Sequence, residues 1–182
     1  MKKHCFAAAF AFALGMAAST AQAQVYVEGV YSPTRLNYND GNASKPLLFS
    51  GVFGYQLYPN VAVEAHMGIN AKNGEYTSGS TVTTNRYDNL YGVFIRPSYA
   101  LTRKLEAFAR AGQVQIKTKQ SAAVNGVASG TETQQTLNSL AWGMGLDYAF
   151  DTNMYLTWDY TNYYSKSGTK IYGLGLGLGY RF

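Results

Sequence analysis

The chain has 182 residues, a formal net charge of +5, one cysteine and only 14% charged residues. That is room for one domain and a targeting segment, with too mild a basic excess for a nucleic-acid footprint. A single cysteine, Cys5, excludes an intrachain disulfide and, lying within the N-terminal targeting segment, leaves the mature chain no Cys-ligated metal, and beyond residue 24 no run of about 18 apolar residues exists to make a transmembrane helix.

Residues 1–23 read as a signal peptide. Lys2, Lys3 and His4 form a basic start, residues 6–18 are apolar, and Ala21-Gln22-Ala23 is an A-x-A cleavage site. Cleavage after Ala23 takes away Cys5 and two of the positive charges. Residues 24–182 are then expected to form one domain.

From Val25 onward the sequence alternates with period two. Eight runs are expected as strands: 25–38, 46–57, 61–70, 86–100, 105–118, 136–150, 154–165 and 170–182. Most are longer than the usual globular strand of about five or six residues and match the nine to eleven or so that a tilted membrane strand needs. Connections alternate in length. Tight turns at 58–60, 101–104 and 151–153 are separated by stretches at 39–45, 71–85, 119–135 and 166–169. The two longest, rich in Ser, Thr, Asn, Gly and Gln, are expected to be loops. Short turns on one rim and longer loops on the other is a membrane-barrel pattern.

One face of each run is apolar. Val61, Val63, Ala65, Met67 and Ile69 alternate with Ala62, Glu64, His66, Gly68 and Asn70, and Leu174, Leu176 and Leu178 alternate with glycines 173 to 179. In the fifth run, Val114 and Ile116 join the apolar face of Ala107 and Ala109 only if a residue is inserted, and Gly112 is the expected bulge. The other face is too poor in charge and too rich in glycine for a solvated surface, but suits the crowded inside of a narrow barrel. The expectation is an all-β, eight-stranded antiparallel transmembrane barrel with apolar residues facing lipid. Tyr31, Tyr55, Tyr99, Tyr148, Tyr155, Tyr172 and Tyr180, near run ends, are expected in interfacial aromatic girdles.

The A-x-A signal, the eight amphipathic runs, "GYQLYPNVAVEA" and the ending "GLGYRF" resemble the small outer-membrane β-barrel proteins of Gram-negative bacteria, of OmpA/OmpX-like and opacity-protein-like type, often called porin family. The resemblance covers the whole mature chain. It implies an integral outer-membrane protein with short periplasmic turns, extracellular loops and periplasmic termini. It also implies that Tyr180 and Phe182 carry a C-terminal signal read by the outer-membrane assembly machinery.

The inward face collects Glu28, Glu64, His66, Arg96, Glu106, Arg110, Asp147, Asp159 and Arg181. Buried charges must be paired or solvated, so these are expected to form a structural network filling the lumen. His66, the only histidine after the signal, has no nucleophile beside it in sequence, so neither catalysis nor a metal or other cofactor is expected. Arg35, Lys45, Lys72, Arg86, Lys117, Lys119, Lys166 and Lys170 lie at or beside the long-connection rim. There they could meet lipopolysaccharide phosphates. The expected role is structural or surface-interacting: envelope integrity, lipopolysaccharide contact, and adhesion to host surface ligands through residues 71–85 and 119–135. A narrow ion or small-solute channel is the alternative, and a lipid-A-modifying enzyme the third.

Overall fold

A computed structural model describes residues 25–38, 43–78, 80–124, 127–166 and 168–182; the expected signal peptide lies outside the described residues. The strands are β1 (Val25–Asn37), β2 (Ala43–Ser44), β3 (Leu47–Tyr58), β4 (Val61–Lys72), β5 (Gly74–Ser78), β6 (Thr81–Ala100), β7 (Leu105–Val124), β8 (Val127–Ala149), β9 (Met154–Lys166) and β10 (Thr169–Arg181). Apart from the short β2 and β5, they form one antiparallel ring in chain order, closed where β10 pairs with β1. The result is an eight-stranded barrel. Closure pairs Val27 with Tyr180 and Arg35 with Tyr172, so it leaves no edge within the ring.

Both ends of the described chain lie at the short-turn rim: Phe182 N–H donates to Val25 O at 2.9 Å. Local side chains set these turns. Thr102 Oγ1 accepts from the amides of Lys104 and Leu105 at 3.2 and 3.0 Å, and Asp151 Oδ1 accepts from Thr152 N–H at 2.7 Å. Such side chains offer the backbone a local acceptor where the ladder must stop.

The faces sort by parity. Leu174, Leu176 and Leu178 are 47–60% exposed on the outer wall, whereas the intervening glycines are buried. Phe49, Met67, Ile95, Trp142 and Trp158 continue the apolar outer wall around the ring. The glycines of β10 allow close approach: an added Cβ at Gly175 would overlap Asp159, and one at Gly179 would overlap the Tyr155 ring. Small residues on this strand leave room for large ones on its neighbours.

Three expectations are corrected. Within 71–85 and 119–135 the described residues are mostly strand, not loop. The ladders run on into hairpins, β5 with β6 from Gly74↔Asn85 to Ser78↔Thr81, and β7 with β8 up to Val124↔Val127. Gly112 is not a bulge: its pairings with Phe94 and Ala141 are in register, and the β6 irregularity falls between Tyr87 and Asn89. Val114 and Ile116 therefore keep the inward phase of Phe108 and Arg110, and all four are buried. Tyr155 belongs to no girdle; it points into the barrel and is 1% exposed.

Candidate functional site: an ion-bridged lumen and a cationic rim

The inside of the barrel has two storeys. In the half nearer the short turns, Arg96 of β6 is the hub. Its Nη1 donates to Glu28 Oε1 (3.0 Å), Glu64 Oε1 (3.1 Å) and Tyr26 OH (3.1 Å), and its Nη2 to Asp147 Oδ2 (2.6 Å). Its guanidinium lies 3.8 Å from the Phe108 ring centroid. The carboxylates are supported in turn: Tyr26 OH donates to Glu64 and Tyr155 OH to Glu28. One arginine thereby ties β6 to β1, β4 and β8 across the lumen.

The other lumen residues attach around this hub. His66 Nε2 lies 2.9 Å from Glu64 Oε2 and its ring packs on Phe94. Arg110 Nε is 3.6 Å from Glu64 Oε2. Arg181 closes the short-turn mouth, reaching Asp147 at 3.2 Å and Glu106 at 3.4 Å while resting on the Tyr155 ring. Asp159 accepts from Thr161 Oγ1 at 2.6 Å. The structure thus brings seven of the nine lumen candidates into ion pairs and leaves His66 and Asp159 hydrogen-bonded beside them. A concavity of about 90 Å³ at the mouth is lined by Glu106, Asp147, Tyr155 and Arg181 with the turn residues Arg103 and Lys104.

The storey toward the hairpins is mainly apolar, with Thr34, Ser44 and Asn85 buried in it and Thr34 hydrogen-bonded to Tyr87. Leu36, Leu48, Tyr87, Leu90, Phe94, Val114, Ile116, Tyr163 and Ile171 pack together there. Phe94 and Ile116 are fully buried, so this layer occupies the cross-section. Sequence reasoning missed it, although parity signals it: Leu36 shares the phase of Glu28, and Leu90 that of Arg96. Charged residues in the lower storey and hydrophobic ones in the upper follow a single inward register.

The rim candidates encircle the hairpin end. Arg35, Lys45, Lys72, Lys117, Lys166 and Lys170 are exposed. Arg86 pairs with Glu132 at 3.0 Å and Lys119 with Asp88 at 3.3 Å. The register irregularity between Tyr87 and Asn89 falls at Asp88. Lys117 and Lys119 line a concavity of about 200 Å³ with Asp88, Thr118, Gln134 and Thr136. Tyr180 and Phe182 sit together at the opposite rim, outward-facing, with ring centroids 5.0 Å apart.

The chain matches the sequence profile of the outer membrane protein beta-barrel domain over residues 5–182. The chain belongs to this family. The apolar wall of this outer-membrane barrel therefore faces the lipid of a Gram-negative outer membrane. Similar solved structures include Ail, the attachment invasion locus protein of Yersinia pestis (19% identity, 89% of this chain, 100% of Ail, TM-score 0.64). Another Ail structure, in complex with the heparin analogue sucrose octasulfate, is 20% identical over 89% of this chain and 100% of that one, also at TM-score 0.64. The N-terminal barrel domain of Pseudomonas aeruginosa OprF is 20% identical over 88% of this chain and 100% of that domain, at TM-score 0.59. At these identities the likeness concerns the fold. Among curated proteins, none matches the barrel's sequence.

Proposed function

We propose that the protein is a non-catalytic surface-interaction protein, a plugged barrel anchoring a cationic, hairpin-bearing rim that contacts lipopolysaccharide and, beyond it, anionic host surface ligands. The observation that carries this reading is the filled cross-section. With an ionic layer below and an apolar layer above, the lumen serves to hold the wall rigid, and the projecting rim is the part left to meet a partner. In this reading the signal is cleaved after Ala23, the termini and tight turns face the periplasm, Tyr180 and Phe182 report to the assembly machinery, and the barrel contributes to envelope integrity. The arginines and lysines of the rim suit phosphate and sulfate groups as charge-assisted donors. The sucrose octasulfate bound to Ail, a barrel of similar fold, supports a polyanion as ligand class.

The test is direct. Purified protein in lipid nanodiscs should bind lipopolysaccharide in a salt-sensitive way, and a Lys117→Gln/Lys119→Gln variant should bind more weakly with a shallower salt dependence. Equal binding by the variant, or binding indifferent to salt, overturns the lipopolysaccharide contact. Planar-bilayer recordings should stay silent, since stable stepwise openings would establish the channel instead. A lipid A profile changed by the wild type but not by His66→Ala would establish the enzyme.

A further inference from the structure

The upper storey fills the lumen from the hairpin side, whereas the short-turn side keeps a concavity of about 90 Å³. At a liquid share of about 30 Å³ per water, that is room for roughly three waters or a small polar head group of the same volume. Its walls are fixed by the fold. Ala149 N–H donates to Lys104 O at 2.8 Å, and Thr102 Oγ1 holds the amides of Lys104 and Leu105, so the turn between β6 and β7 is tied to β8. Arg181 N–H donates to Asn153 O at 2.8 Å, and Asn153 Nδ2 donates to Arg181 O at 2.7 Å. These two bonds anchor the strand end that carries the guanidinium. The Tyr155 ring lies 4.6 Å from that guanidinium and forms part of the lining.

The lining carries both signs of charge, and they are not equally engaged. Asp147 is buried, and its Oδ2 accepts from both Arg96 and Arg181. Glu106 is held more loosely. Its ion pair with Arg181 is 3.4 Å long, and its side chain is 26% exposed. Arg103 and Lys104 are exposed and form no ion pair among the described residues. One small mouth therefore holds a half-engaged carboxylate and two unpaired cations. A bare anion would meet Arg103 and Lys104 but be opposed by Glu106 and Asp147. A bare cation would meet Glu106 but be opposed by Arg103, Lys104 and Arg181. A ligand bearing both signs a bond or two apart satisfies both sides, and the lining discriminates against ligands bearing one.

We propose that this mouth is a binding site for an amino-acid head group, an ammonium and a carboxylate on one carbon. The carboxylate lies against Arg103 and Lys104, and the ammonium against Glu106. Each contact is a charge-assisted hydrogen bond. Arg181 stays on its two acids and keeps Glu106 facing the ligand. The hydrogen bonds of the turn and of the β10 end hold the lip in place before anything binds, which lowers the ordering cost of taking up so small a molecule. The inference goes beyond the surface role proposed above, which concerns the opposite rim, and its test does not involve lipopolysaccharide.

The probe is L-alanine, titrated into the protein in nanodiscs beside propionate and ethylamine, which are of similar size and keep one charge each. Binding is read from the NMR shifts of the Arg181 Nε–H and the Lys104 amide. Alanine should bind about tenfold more tightly than either single-charge analogue. Glu106→Gln should weaken alanine about tenfold and leave propionate unchanged or tighter, because it removes a repelling charge. Arg103→Gln/Lys104→Gln should weaken alanine and propionate alike. The alanine-to-propionate ratio within one variant reads recognition independently of how well that variant folds. γ-Glutamylglycine displays the same head group on a peptide and separates the sources: affinity matching alanine extends the site to peptide ends, and exclusion confines it to free amino acids. Equal affinity for alanine and propionate, no saturable shift with alanine, or unchanged alanine affinity in Glu106→Gln would each overturn the inference. So would phosphoethanolamine binding more tightly than alanine, which would assign the mouth to a lipid headgroup. Loss of lipopolysaccharide binding with alanine binding intact would refute the surface reading and leave this site standing.

Discussion

Arg96→Met is the most informative single change in the barrel. The side chain is 3% exposed and bridges three carboxylates. Methionine is similar in length and keeps the packing on Phe108, so the variant isolates the charge. The partners do not suffer equally. Glu64 keeps His66 at 2.9 Å and Arg110 at 3.6 Å, and Asp147 keeps Arg181 at 3.2 Å. Glu28 keeps only the Tyr155 hydroxyl, and its second oxygen already has no hydrogen-bond partner. Removing one member of a buried ionic group costs about 3–5 kcal/mol, because the others stay buried and uncompensated. Most of that cost should reside at Glu28. Arg96→Met should therefore lose about 3–5 kcal/mol, and Arg96→Met/Glu28→Gln should regain more than half of it. Urea unfolding in lipid vesicles, followed through the lipid-facing Trp142 and Trp158, measures both. A single-variant loss below about 1 kcal/mol, the scale of a solvated surface pair, would refute a buried, mutually paired lumen network. A double variant no more stable than the single would refute Glu28 as the stranded charge.

Ile116→Ala should open a cavity in the upper storey and cost about 2–5 kcal/mol in the same unfolding assay, whereas an outward-facing Ile116 would leave lipid contact and stability nearly as they are. Gly175→Leu places a side chain where Asp159 and Val30 already stand and should destabilise by about 1–3 kcal/mol through overpacking. Leu176→Gly on the opposite face should leave the lumen network unchanged, as read by the exchange rate of the Arg96 side-chain protons in NMR.

The ring itself was legible because period two survives wherever one face of a strand is lipid and the other protein. Strand number, tight turns and the outward leucines of β10 followed from that alone. The projecting hairpins did not. Residues such as Thr133, Gln134, Gln135 and Thr136 are exposed, so no burial difference imprints an alternation and the composition reads as loop. Val114 and Ile116 misled for the reverse reason. Aliphatic residues suit lipid and the upper lumen alike, so their apolarity alone signals a bulge at Gly112 that the register does not contain. Parity was the better guide than polarity. The ionic hub lay beyond sequence reading in its pairing, if not in its membership. Arg96 meets residues 32, 51 and 68 positions away, and which of several inward carboxylates it selects depends on barrel closure.

The glycine strand has a consequence for the order of assembly. β1 and β10 are the paired strands furthest apart in sequence, so their seam carries the largest loop-closure cost and forms late. In the closed barrel Asp159, Thr157 and Tyr155 on β9 and Val30 on β1 project into the space beside the inward face of β10. A strand with side chains on that face would have to thread them between these groups. β10 presents a bare ribbon of backbone there, with its bulk on the lipid side, and can slide into register like the final stave of a cask.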